Sequence, residues 1–167
     1  AQSAGRLAAR FHGALLDCDH QFAFVRPGAH DTVAHMAALQ RALDEYRGHR
    51  LRDEVDPLAD ELVRRWERWR GPTDLPRRIG HGDLKVSNLL FDDQDQARAI
   101  IDLDTMAWMG LDAELGDALR SWCNHAEEHA RGASLSQEML IASLRGYLSE
   151  AGPWITAQEV HGIVPGM

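Results

Sequence analysis

Cysteine is scarce in this chain: Cys18 and Cys123 are the only two. They lie far apart and form no Cys-x-x-Cys pair, which excludes a zinc ribbon and a disulfide framework. Two reduced thiols suit a cytoplasmic protein. Positive charge is also in short supply, with 18 Lys and Arg against 26 Asp and Glu and a formal charge of −8. A nucleic-acid partner would need basic patches to meet phosphates, so that class is set aside. An acidic chain is better matched to a cationic substrate. No apolar run is long enough to span a membrane, no signal-peptide pattern opens the chain, and no repeat or low-complexity segment occurs. An initiator Met is absent and the sequence stops at Gly166-Met167, which reads as a segment cut from a longer protein.

What is present is an ordinary globular composition over 167 residues, enough for one domain or one lobe with its own core. Leu7, Phe11 and Leu15 recur at helical spacing after Ser3, a suitable cap. After Pro27-Gly28, Asp31 opens a second helix bearing Val33, Met36, Leu39, Leu43 and Tyr46. A third carries Val55, Leu58, Leu62, Trp66 and Trp69, a stripe expected to pack in a core. Gly71-Pro72-Thr73-Asp74-Leu75-Pro76 breaks the helical pattern. Arg77–Gly80 is short and compatible with an extended segment. Asn88–Phe91 and Ala97–Ile101 flank the polar run Asp92-Asp93-Gln94-Asp95-Gln96, the signature of a hairpin. Helical spacing returns at Leu111, Leu115, Leu119 and Trp122, again at Met139, Leu140, Leu144, Tyr147 and Leu148, and a last helix starts at Thr156. The expected architecture is mainly α with one small β-hairpin, which needs a helical body beneath it to be stable.

The polar residues at the ends of that hairpin carry the chemistry. Phosphoryl transfer requires a carboxylate for the acceptor hydroxyl, hard oxygen ligands for Mg²⁺ and a cation to offset phosphoryl charge. Asp83, on the loop after His81, is the candidate catalytic base. Lys85 is placed to meet the transferred group. Asn88 begins the first strand and Asp102 follows the second. A hairpin returns the chain to its starting end, so the two are expected to meet there. An amide oxygen beside a carboxylate suits Mg²⁺, which keeps waters and substrate phosphates in its other positions. Asn88 and Asp102 are thus the metal and nucleotide-binding candidates.

His-x-Asp with Asn five positions after the Asp, then an Asp beyond a hairpin, is similar to the protein-kinase catalytic loop, with Gly82 where Arg is usual. His81-Gly82-Asp83 through Asn88, with Ile101-Asp102, resembles the aminoglycoside phosphotransferase and choline kinase family, a branch of the protein-kinase-like fold. The stretch Ala99–Thr105, Gly110 and Leu115–Arg120 looks closest to N-acetylhexosamine 1-kinases and related sugar kinases. The resemblance implies ATP as phosphoryl donor, Mg²⁺, Asp83 as base, and Asn88 and Asp102 as metal ligands. It also implies an acidic residue bracing the catalytic loop, a role open to Asp117 or Glu114. Such a family carries a nucleotide lobe with a glycine-rich turn and a phosphate-pairing Lys. Neither is found here, since Gly80-His81-Gly82 is too short. Residues 1–167 are therefore expected to be the carboxy-terminal (α+β) lobe alone, inactive by itself, within a kinase acting on a hydroxyl of an amino sugar, sugar or aminoglycoside.

Other signals are weaker. Asp102-Leu103-Asp104-Thr105 approaches the Asp-x-Asp-x-Thr/Val phosphatase nucleophile, but Met106 fills the last position, leaving Asp104 a loop or substrate-side carboxylate. His125-Ala126-Glu127-Glu128-His129 fits an inverted zinc-protease motif, yet it runs into a helix end at Arg131-Gly132 and has no third ligand. His30-Asp31 is better read as a helix start than as a substrate contact. The rival from another class is a non-catalytic pseudokinase or helical binding module; four intact polar positions, Asp83, Lys85, Asn88 and Asp102, weigh against it.

Overall fold

The computed structural model describes residues 1–71, 74–124 and 134–167. Its elements run α1 (Gln2–Ala14), α2 (Thr32–Glu45), α3 (Arg52–Arg68), β1 (Arg77–Gly80), β2 (Leu89–Phe91), β3 (Ala97–Ile100), β4 (Ala107–Gly110), α4 (Leu111–Trp122), α5 (Gln137–Ala151) and α6 (Ala157–Ile163). Residues 1–25 and 71–167 form one unit and residues 26–70 another. The motif His125–His129 lies outside the described residues, as do Pro72 and Thr73 of the helix-breaking segment.

In the larger unit the expected hairpin is β2 with β3, pairing Leu89 with Ile100 and Leu90 with Ala99, and a bulge follows at Phe91. Asn88 is not in the strand but in a 3-10 turn, Val86–Asn88, that precedes it. Asp92 shapes the connecting turn: its Oδ1 accepts the backbone N–H groups of Gln94 and Gln96 at 3.0 and 2.9 Å, the local trick that makes Asp a turn residue. A second antiparallel pair, β1 with β4, aligns Arg77 with Gly110 and Gly80 with Ala107. One hairpin was expected; among the described residues there are two small sheets, and β4 completes the second.

The hairpin does rest on a helical body. Ser3 is the link rather than the expected helix cap. It lies inside α1, whose cap position is Ala1, and its hydroxyl donates to the carbonyl of Asp95 and accepts from the N–H of Ala97. The helix that the Leu7, Phe11 and Leu15 spacing indicates forms, and its buried residues are Ala4, Gly5, Ala8, Ala9 and His12, with Leu7 packed against the same core. Close approach of α5 is the reason that most of these are small. A Cβ on Gly146 would strike the carbonyl of Gln2, and one on Gly5 would strike that of Ser143. On α4 the expected stripe holds, with Leu111, Leu115 and Leu119 each 1–2% exposed. Each such side chain contributes about 1.5–3 kcal/mol on leaving water. Thr156 caps α6 through a reciprocal capping box with Glu159.

The smaller unit pairs α2 with α3. Asp31 caps α2, accepting the N–H of Ala34 at 2.9 Å, and Arg52 donates to the carbonyl of Leu43 across the turn. A cleft of about 350 Å³ lies here between Leu39, Leu43, Tyr46, Leu51 and Val55. The α3 stripe does not form the expected core: Val55, Leu58 and Leu62 are exposed, and Ala59 is the buried residue of that helix. Trp66 and Trp69 instead stack on each other, 5.3 Å between ring centroids. Among the described residues no helix is long and apolar enough to cross a membrane.

Candidate active site

The loop between β1 and the 3-10 turn is held from beneath by α4. Glu114, in the first turn of that helix and 2% exposed, accepts the N–H of His81 at Oε1 (2.8 Å) and the N–H of Gly82 at Oε2 (2.9 Å). Two turns on, the Trp122 indole donates to the carbonyl of Leu84 at 2.8 Å. The brace is therefore Glu114. Asp117, the other candidate, pairs with Arg120 at 2.8 Å on the same helix. Burial pushes the Glu114 carboxyl up, but the His12 imidazole and the two backbone N–H groups outweigh it and hold the group below the usual carboxylate range.

His12 was not foreseen as a site residue. Its Nε2 donates to Glu114 Oε1 at 3.2 Å, and its Nδ1 meets the Tyr147 hydroxyl at 2.9 Å. All three groups are buried. The loop is thus tied through Glu114 to α1 and α5.

His81 joins the loop to the hairpin. Fully buried, it donates from Nε2 to the carbonyl of Ile101 (2.8 Å) and accepts at Nδ1 from the N–H of Asp83 (3.2 Å). These two partners fix its tautomer. One ring thereby sets the backbone of Asp83 and that of the residue before Asp102. The Thr105 hydroxyl adds a bond to the carbonyl of His81 at 2.8 Å. The glycine at position 82, where related loops carry Arg, has a steric cause: its φ is +80°, and a Cβ there would collide with the carbonyl of Thr105.

Asp83 and Asn88 come together on this loop. The Asn88 side-chain amide donates to the carbonyl of Asp83 at 2.8 Å and to Asp83 Oδ2 at 3.3 Å. Lys85 Nζ reaches the same Oδ2 at 2.6 Å. Among the described residues, Asp83 Oδ1 takes no protein hydrogen bond, and the carboxylate is about a third exposed. With its nitrogen committed to Asp83, the buried Asn88 amide has Oδ1 left as a hard donor. The hairpin brings the metal candidates close along the backbone, since the N–H of Ile101 donates to the carbonyl of Asn88 at 3.0 Å. Asp102 follows, exposed, in a left-handed conformation with φ 68° and ψ 59°. For a residue with a side chain this is a costly geometry that clusters at functional sites. Asp104 is exposed on the next 3-10 turn.

Two neutral or anionic oxygens, one from an amide and one from a carboxylate, fit Mg²⁺ in their donor chemistry, because that ion takes few protein ligands. Among the described residues no trio of His, Cys, Asp or Glu side chains converges into a metal cluster.

The family model described as the phosphotransferase enzyme family (APH) matches residues 1–147. Among solved structures the chain is similar to an aminoglycoside-3'-phosphotransferase of type VIII, at 20% identity and a TM-score of 0.55, with 99% of this chain and 58% of that one covered. The likeness is one of fold, a mainly helical carboxy-terminal lobe of the protein-kinase-like type with small antiparallel sheets. This chain spans 58% of the length of that structure.

Proposed function

Because the chain belongs to the phosphotransferase enzyme family, we propose that it is the acceptor- and metal-facing lobe of a kinase that moves the γ-phosphoryl group of ATP to a hydroxyl of a small molecule. An amino sugar, sugar or aminoglycoside is the acceptor class we favour, in keeping with the acidic chain. A nucleotide lobe elsewhere in the full-length protein would hold the base and the outer phosphates. The observation that carries this reading is the state of Asp83. One carboxylate oxygen is fixed by Lys85 and Asn88, and the other takes no protein hydrogen bond among the described residues, on a side chain about a third exposed.

In this mechanism Asp83 Oδ1 accepts the hydrogen bond of the acceptor hydroxyl and takes its proton as the oxygen attacks phosphorus in line. Lys85 holds Oδ2 of Asp83 in place and sets positive charge beside the path of the phosphoryl group. His81 and Glu114 hold the loop so that Asp83 need not reorganise during transfer. Asn88 and Asp102 would hold Mg²⁺, which supplies charge neutralisation on the nucleotide phosphates when bound.

The test is a panel of amino sugars, neutral sugars, aminoglycosides and choline with the full-length protein, reading ADP production. Turnover of at least one amine- or hydroxyl-bearing sugar is expected. Silence across the panel, with nucleotide binding intact, would favour a non-catalytic module instead. For the metal pair, Asn88→Ala is expected to raise the Mg²⁺ concentration for half-maximal rate by about 10-fold or more. An unchanged magnesium dependence would remove Asn88 from the ligand set.

A further inference from the structure

The buried ion pair between β1 and α6 has no part in the chemistry above, yet it sits on the strand that delivers the catalytic loop. Glu159 is fully buried. Its Oε1 accepts from Arg78 Nε at 2.5 Å and its Oε2 from Arg78 Nη2 at 3.0 Å, the two-pronged geometry that gives arginine–carboxylate pairs direction as well as strength. Oε2 also accepts the Thr156 N–H and hydroxyl, both at 2.9 Å. The Arg78 guanidinium lies over the Trp154 ring, 5.0 Å from its centroid, and donates to the Trp154 carbonyl at 3.4 Å. Both Glu159 oxygens and the Nε and Nη2 groups of Arg78 are engaged at this junction, which gives it a defined geometry.

Two routes lead from it to the loop. Along the chain, Arg78 is followed by Ile79, Gly80 and then His81. Through space, Trp154 meets Tyr147 edge to face at 6.1 Å. Tyr147 then reaches Glu114 through His12. The same two backbone N–H groups, of His81 and Gly82, lie at the end of both routes.

We propose that Arg78 and Glu159 are positioning residues for the catalytic loop, setting the place of His81 and Gly82, and hence of Asp83, from the far side of the lobe. The kinetic part of this proposal rests on the phosphotransferase reading; the structural part does not.

The experiment compares Arg78→Lys and Glu159→Gln with the parent full-length protein, well below each melting temperature. Amide hydrogen exchange is followed at residues 79–83 and in the middle of α5, and kcat and KM are measured for whichever acceptor the panel identifies. The expected result is exchange at His81 and Gly82 faster by about 10-fold, α5 unchanged, kcat lower by about 10-fold and both KM values within about twofold. Arg78→Lys keeps the charge and loses the fork, so it isolates geometry from charge. Thr156→Ala, which removes one of the Glu159 partners, serves if either variant does not fold, with the same signs and smaller size. The proposal is overturned if loop and α5 amides accelerate together, or if the loop amides do not change. If the parent protein transfers no phosphoryl group, the kinase reading fails, and the exchange data alone decide the clasp.

Discussion

Asp83→Ala in the full-length protein is expected to lower kcat by about 10²–10⁴-fold, the range for loss of a positioned general base. The melting temperature is expected to move little. Asp83 and its partner Lys85 are 32% and 39% exposed at their side chains, and a pair open to water to that degree is worth about 1 kcal/mol or less. The fold of the loop does not hang on this carboxylate, since His81 and Asn88 bind the Asp83 backbone. Loss of turnover at unchanged stability is thus the signature of chemistry at this side chain. KM for the acceptor should change less than kcat, because the hydrogen bond to the hydroxyl matters most as its proton leaves. Turnover within about twofold of the parent would show that Asp83 is not the base.

Glu114→Gln should behave in the opposite manner, losing stability and rate together. Its carboxylate accepts from His12, His81 and Gly82 with almost no solvent. An amide in its place keeps one acceptor oxygen and turns an NH₂ group toward a buried N–H. Stranding such a donor costs about 1–3 kcal/mol, with the lost charge-assisted bonds in addition. The freed loop displaces Asp83, and a misplacement of about 1 Å can lower the rate about 10²-fold. The pH dependence follows from the lowered pKa of the folded group. The folded group binds a proton less readily than the unfolded one, so its stabilisation is complete above the ordinary carboxylate range and is lost as pH falls through the lower folded value. Urea midpoints between neutral and acid pH should fall less steeply for Glu114→Gln than for the parent. Equal slopes would mean that Glu114 is not the charged brace described above.

Local chemistry made much of this legible in the sequence. The hairpin followed from its Asp-rich turn, and the caps at Asp31 and Thr156 from single residues before apolar periodicity. The backbone approach of Asn88 to Ile101, beside Asp102, followed from the hairpin. What stayed hidden depended on partners distant along the chain. The pairing of β1 with β4 joins Arg77 to Gly110, and neither segment is long or alternating enough to declare itself. On α1, apolar spacing marks the helix but not the small residues Ala4, Gly5, Ala8 and Ala9 that let α5 approach closely. The α3 stripe was misread for a related reason, since periodicity marks a face but not its partner. Glu114 was within reach. It precedes Ala118 by one helical turn, beside the stripe of Leu111, Leu115 and Trp122, whereas Asp117 turns further from it. A charged residue beside an apolar stripe is a sign of a buried acceptor. His12 gave a similar sign on α1.

Asp102 has a consequence for how this protein changes under selection. Its left-handed backbone suits glycine better than aspartate, by about 1 kcal/mol. Asp102→Gly is therefore expected to raise the melting temperature slightly while removing a carboxylate from the site, and a thermal melt beside an activity assay would separate the two effects. A library sorted for folding alone would drift toward glycine at this position, and its most robust members would be its least active. A library sorted for turnover would instead be expected to keep aspartate there if Asp102 holds the metal, at some cost in stability.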